Sequence, residues 1–324
     1  MAEAAGSVKV IRRLGYTALV LGFAQIVFGA IVRITGSGLG CGDHWPDCYG
    51  SFTPAHRGIA LLIEISHRYG AALLSLAVLA LFLAAWTARA RDERREDPRA
   101  ADGALPPSAA ALALVVAAAI FGAVTVKLSL ETWIVVTHVA IAMALLAVLV
   151  EVVVRAGGFG ARPAGQPASR SLSAARAALG LVFLTLILGA LTANTPGAPV
   201  ACLGFPWCRA AMTSGVPLAI QITHRVLALL LFGHLLGVMI AARKREPGSA
   251  VARAATAAFS IVVLQILIAA ALVEMQLPMV LRSVHQAVGT LLWISIAVLH
   301  SLAASRGVTM ANGADARPAT DAEG

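Results

Sequence analysis

Charge is what this sequence has least of. Only 13% of its 324 residues are Asp, Glu, Lys or Arg, where an ordinary soluble domain carries about 25%. The shortage leaves long apolar stretches unbroken: 59% of residues are hydrophobic and mean hydropathy is +0.84. That excludes a water-soluble globular fold and indicates a polytopic, all-α membrane protein. Acids inside the apolar stretches are scarcer still, and Glu64 is the only one well within a span. Cysteines number four, none spaced by two residues, so a zinc-binding pair is a weak reading. The basic stretch at Lys9, Arg12 and Arg13 resembles the start of a signal peptide. The apolar run after it is too long and is followed by no convincing cleavage site, which favours an uncleaved first span.

Eight spans are legible, at about 14–34, 58–86, 108–127, 131–154, 172–194, 217–241, 251–273 and 278–303. Their connections alternate in charge. Of 25 Lys and Arg, most lie at the N-terminus, in the loops near 87–107, 155–176 and 242–253, or in the tail. The net charge of +9 is therefore a topology signal and not a nucleic-acid footprint, and it places both termini in the cytoplasm. Residues 87–107, with RDERREDPR and Pro106-Pro107, read as a linker, and 305–324 as a disordered tail. Very short connections around Leu128–Leu130 and Met275–Leu277 require helical hairpins.

The two halves read as copies. Phe28-Gly-Ala-Ile-Val, Cys41, Cys48, Ser66-His67-Arg68 and His138 are answered by Leu188-Gly-Ala-Leu-Thr, Cys202, Cys208, Thr223-His224-Arg225 and His285. The pairs Cys41/Cys202, Cys48/Cys208, His67/His224 and His138/His285 are offset by 161, 160, 157 and 147 positions. So steady an offset predicts a tandem repeat of two four-helix bundles in the same orientation. Residues 1–154 form the first unit, 155–171 a cytoplasmic linker and 172–304 the second.

The four repeated histidines sit at similar depths on even-numbered spans, roughly 10–14 Å from the outer ends at 1.5 Å per residue. An ionisable group in mid-membrane costs roughly 2.5–3.5 kcal/mol. Two histidines at one depth on neighbouring helices suit bis-imidazole ligation of haem iron, one pair per unit. The plainer reading, interhelical hydrogen bonding, suits a single histidine better than four in register. His44 and His56 in the first outer loop, His234 deeper on span six and His300 at the inner end of span eight read as mainly structural. Arg68, Arg225 and Arg282 adjoin the ligand candidates. They are candidates for pairing with haem propionates, with snorkelling to headgroups as the alternative. Glu64 stands three residues before His67, and Gln221 takes its place before His224. A proton-active group on one side only suggests one reactive site and one electron-transfer site.

All four cysteines lie in the two long outer loops, where disulfides persist. Bridges Cys41–Cys48 and Cys202–Cys208 would each be worth roughly 2.5 kcal/mol as local staples. Pairing between the loops stays open, as does a redox or substrate-handling role for the glycine-rich first loop.

RITGSGLGCGDHWPDCYG (33–50), EISHR (64–68), THVA (137–140), CLGFPWC (202–208), THR (223–225) and VHQAVG (284–289) together resemble the haem A synthase family over 14–303. The resemblance implies a plasma-membrane enzyme that oxidises a methyl group of haem O to the formyl group of haem A, with water as oxygen source. It implies that His67 and His138 hold the substrate haem and that His224 and His285 ligate a haem b cofactor. Glu64 matches an essential family acid, and the cysteines match a subgroup with a pair in each outer loop. Haem O synthase and a membrane electron acceptor, quinone among the options, are the implied partners; a homo-oligomer is left open. A di-haem carrier linked to quinone has no need of a one-sided acid. A haem transport or handling protein does not explain four ligands in fixed pairs.

Sidedness is open to direct test. A cysteine introduced within 90–105 should resist an impermeant thiol reagent applied from outside the cell, and labelling there would overturn the assigned topology.

Overall fold

The computed structural model describes residues 2–52, 58–94, 103–161 and 169–305. Among them are eight long helices: α1 (Ala2–Ile34), α2 (Ile59–Arg94), α3 (Leu105–Lys127), α4 (Thr132–Arg155), α5 (Leu172–Asn194), α6 (Val216–Arg245), α7 (Ala250–Glu274) and α8 (Met279–Ala304). All eight are long and apolar enough to cross a membrane, and the chain is a multi-pass membrane protein. Large apolar side chains face outward, Leu76 at 64% and Trp86 at 55% exposure among them. Each would be costly in water at about 25 cal/mol per Å² and costs nothing against lipid.

Three helices outrun their apolar stretches. α2 ends at Arg94 where hydropathy stops at 86, and α6 ends at Arg245 where it stops at 241. α1 begins well before residue 14. Arg and Lys are good helix formers, so the backbone ladder continues after the apolar run ends. The reading of 87–107 as one linker is corrected on both sides. Pro106 and Pro107 lie in the first turn of α3, where a missing N–H leaves no bond unmade. His56 and most of the tail read as disordered lie outside the described residues, as do parts of both linkers.

Two connections show how little chain a hairpin needs. After α3, Ser129 and Leu130 adopt left-handed φ of 50° and 62°, and the Leu130 N–H reaches back to the Thr125 carbonyl at 2.8 Å. After α7, Gln276 and Leu277 do the same at 59° and 61°, with the Leu277 N–H on Leu272 at 2.9 Å. Both close the helix with the six-to-one bond of a left-handed C-cap.

Helix contacts close two rings. α1 packs on α2, α2 on α3, α3 on α4 and α4 on α1; α5–α8 repeat the circuit. Within a ring α2 lies diagonally from α4, and α6 from α8. The rings meet along α1 and α4 on one side and α5 and α8 on the other. There the buried Trp293 donates from its indole N–H to the Met143 carbonyl at 2.8 Å. Phe183 stacks on Trp293 with ring centroids 5.7 Å apart, and one apolar core runs through both rings.

The loops over one end are compact. The first makes a 3₁₀ turn at Ser37–Leu39 and carries a Cys41–Cys48 disulfide with Cα atoms 5.0 Å apart. Both cysteines are fully buried against Leu61 and Ile65 of α2. The second turns at Ala198–Val200, pairs strand β1 (Cys202–Leu203) with β2 (Ala210–Ala211), and bridges Cys202 to Cys208 across 5.3 Å. Pairing is therefore within each loop and not between them.

Gly40 fixes how closely the first loop lies on α2. A Cβ there would stand 2.6 Å from the carbonyl carbon and oxygen of Ala60, which belong to backbone and cannot swing aside. Gly40→Ala should therefore destabilise the protein by about 1–3 kcal/mol. Its Tm should fall, while that of Gly180→Ala, with open space around it, should not.

Candidate functional site

His67, His138, His224 and His285 lie on α2, α4, α6 and α8, and each ring turns into its own bundle. His67 and His138 are within electrostatic reach of each other, and so are His224 and His285. The structure thus brings together the two pairs expected from sequence.

Three of the rings lie against a glycine of the preceding helix. An added Cβ would stand 3.1 Å from His67 Cε1 at Gly29, 3.4 Å from His138 Cε1 at Gly122 and 3.0 Å from His224 Cε1 at Gly189. Gly29 and Gly189 are the glycines of the two repeated FGAIV and LGALT segments. The segments are visible in the sequence; that they make room for imidazole is visible only in the fold. Phe28 adds an edge-on contact to His67, with centroids 5.9 Å apart.

Each pair has one histidine held by an amide. Gln25 Nε2 of α1 donates to the His67 carbonyl at 2.7 Å and lies 2.9 and 3.5 Å from the ring's Nδ1 and Nε2. Gln265 Nε2 of α7 donates to the His285 carbonyl at 3.0 Å and lies 3.1 and 3.3 Å from that ring's Nδ1 and Nε2. The other member faces a backbone carbonyl. His224 Nδ1 is 2.9 Å from the Thr185 oxygen. His138 Nδ1 points toward Ala118 without completing a hydrogen bond. Gln25 and Gln265 contact two of the candidate ligands and were not anticipated from the sequence. The available signal was a lone amide in mid-span, in AQIV and LQIL.

Glu64 is buried and fully engaged. One carboxylate oxygen accepts the Cys41 N–H at 2.8 Å and the other pairs with Arg68. Arg68 also donates to the carbonyls of Asp47 at 2.8 Å and Pro46 at 3.3 Å. In the second unit Gln221 donates to the Pro199 carbonyl at 3.0 Å, and Arg225 to those of Gly204 and Cys202 at 2.7 and 2.8 Å. The acid, amide and arginines thus bind each loop to its own helix pair. Arg282 makes no side-chain hydrogen bond among the described residues and lies beside Arg33, whose guanidinium reaches the Ala193 carbonyl at 3.2 Å.

Two of the remaining histidines have local partners. His44 packs on Tyr49 with centroids 4.9 Å apart, and His234 Nε2 is 2.9 Å from the Ala174 carbonyl.

The residues present fit haem. Each bundle holds two histidines within electrostatic reach of each other, and glycines of neighbouring helices admit three of the rings, a donor set of the kind that ligates haem iron.

The family COX15-CtaA, described as cytochrome oxidase assembly protein, matches residues 12–61 and 58–297. A protein of Alkalihalophilus pseudofirmus named Heme A synthase is 30% identical over 216 residues, 65% of this chain and 69% of its own length. One of Exiguobacterium sibiricum with the same name is 30% identical over 219 residues, 66% of this chain and 68% of its own. A shorter match, 53% identical over 64 residues, is to a Thermus thermophilus protein named Protoheme IX farnesyltransferase. It spans 20% of this chain and only 10% of that relative.

Proposed function

Because the chain belongs to the COX15-CtaA family of cytochrome oxidase assembly proteins, we propose that it is a haem A synthase of the plasma membrane with both termini cytoplasmic. Its substrate would be haem O and its product haem A. The observation that carries the reading is a difference between matched positions. Glu64 stands one turn before His67, whereas the neutral Gln221 stands one turn before His224.

In this reading residues 1–154 are the reactive unit. His67 and His138 hold the substrate haem, and the loop braced by Glu64 and Arg68 covers its edge. Residues 172–304 are the electron-transfer unit, where His224 and His285 would hold haem b. When bound, that cofactor supplies a one-electron acceptor close to the substrate. Converting a methyl group and water to a formyl group releases four electrons and four protons, so a proton acceptor is needed in the first unit and not in the second. Glu64 fills that need: it is buried, it pairs with Arg68, and a carboxylate can take a proton from water or from the reacting carbon. Arg282 retains guanidinium donors that would suit a propionate, and Arg225 holds the second loop to α6. The farnesylated substrate implies haem O synthase as supplier, which the short match to a protein named for farnesyl transfer to haem supports. Electrons leave to a membrane acceptor, for which a quinone has suitable chemistry.

The experiment is haem extraction from cells that make haem O and express this chain. Wild type should yield haem A. Glu64→Gln should keep its fold, because an amide already braces the second loop from the matching position. It should still bind haem b, yet accumulate haem O or its hydroxymethyl form. Near-normal haem A from Glu64→Gln would reduce Glu64 to a loop anchor, and no haem A from wild type would overturn the function.

A further inference from the structure

An apolar groove of about 510 Å³ runs along α3 beside α2 in the first unit, and the chemistry just described makes no use of it. Three alanines of α3, Ala109, Ala113 and Ala117, line it together with Leu112, Ile120 and Phe82 of α2, and every lining side chain is apolar. The alanines share one face of α3 because they recur at every fourth position. Ala118 and Gly122 turn the opposite way on the same helix, toward His138. The end of the groove at Ile120 is therefore level with that ring. From Ile120 to Ala109 the groove descends away from the disulfide loops for about 16 Å at 1.5 Å per residue. An extended farnesyl chain has that length.

The second unit fills the matching seam with larger side chains. The offset of 147 that relates His138 to His285 also carries the left-handed hairpin at 129–130 onto that at 276–277, so it maps α3 onto α7. Ala109, Ala113 and Ala117 are answered by Thr256, Ser260 and Leu264, and Leu112 by Phe259. By the offset of 157 that relates His67 to His224, Ser75 of α2 is answered by Phe232 of α6. Phe232 and Phe259 meet between α6 and α7 with ring centroids 5.5 Å apart, and both pack on the core. Two aromatic rings thus stand where the first unit has a serine and a leucine.

Resting on the function proposed above, we propose that the α2–α3 groove holds the farnesyl tail of the substrate haem. It would thereby sort the two haems, haem O to the first unit and haem b, which has no such tail, to the second. Acyl chains are as apolar as leucine, so no hydrophobic drive favours the groove over lipid. Selection rests on shape and on tethering. A tail attached to a haem between His67 and His138 must leave the bundle between two helices, and α3 offers it alanines to lie against.

Haem extraction from purified protein tests this by occupancy and not by turnover. Cells that make both haems express the chain, and haem O plus haem A is measured relative to haem b. Ala113→Phe and Ala117→Phe each set a ring in the groove. Each should lower that ratio about tenfold, the effect of an apolar group that no longer fits its pocket. Ser260→Phe, the same change at the exposed matching position of the second unit, should leave the ratio unchanged. Retained haem b shows that a variant is folded, and Ala113→Leu, a milder intrusion, should give a smaller drop in the same direction. Wild-type ratios in all three groove variants overturn the proposal and leave the groove to lipid acyl chains. If wild type itself carries neither haem O nor haem A, the substrate reading fails, a result distinct from failure of the groove alone.

Discussion

A polar group inside hydrocarbon has no water to fall back on. It must be partnered within the protein, and an unsatisfied one costs several kcal/mol. Much of the structure near the disulfide loops follows from that constraint. Glu64 is tolerated because Cys41 offers an N–H and Arg68 a charge. Arg68 in turn needs the carbonyls of Pro46 and Asp47, which the first loop presents only when folded down on α2. The loop can lie there because Gly40 lets backbone meet backbone and because the buried disulfide supplies an apolar underside. Partnering one acid therefore organises a helix, a loop and a cross-link.

The second unit meets the same constraint with different residues. Gln221 donates to the Pro199 carbonyl where Glu64 accepts, and its Oε1 has no hydrogen-bond partner among the described residues. Arg225, with no acid to pair, takes two loop carbonyls. The outline of the loop survives while the exchangeable proton is gone. The same economy appears at the histidines, where a glycine makes room for three of the rings and a neighbour across the helix pair contacts each one. One bundle plan thus presents two different sets of inward groups through changes at a few positions.

The ionisable residues were legible in the sequence because they are costly in a span and therefore rare. Glu64, the four histidines and the arginines stand out against an apolar background, and the fold class follows from the same contrast. Gln25 and Gln265 were not legible, because one uncharged amide in a span is ordinary and its partner lies on another helix. Gly29 and Gly189 were visible as a repeated pattern but not as space for imidazole, since that depends on where α2 and α6 point their rings. The loop carbonyls that engage Arg68 and Arg225 were hidden for a related reason: a backbone acceptor has no signature in residue type. Pro106 and Pro107 read as a break because proline usually ends a helix, and here they open one.

Two units of similar plan and unlike chemistry are the centre of the account, and the haem b content of two purified variants tests it most directly. His224→Ala should lose the tightly held haem b, because it leaves that iron one strong ligand. His67→Ala should retain it. Haem b kept by His224→Ala and lost from His67→Ala would reverse the roles of the two units and contradict the account.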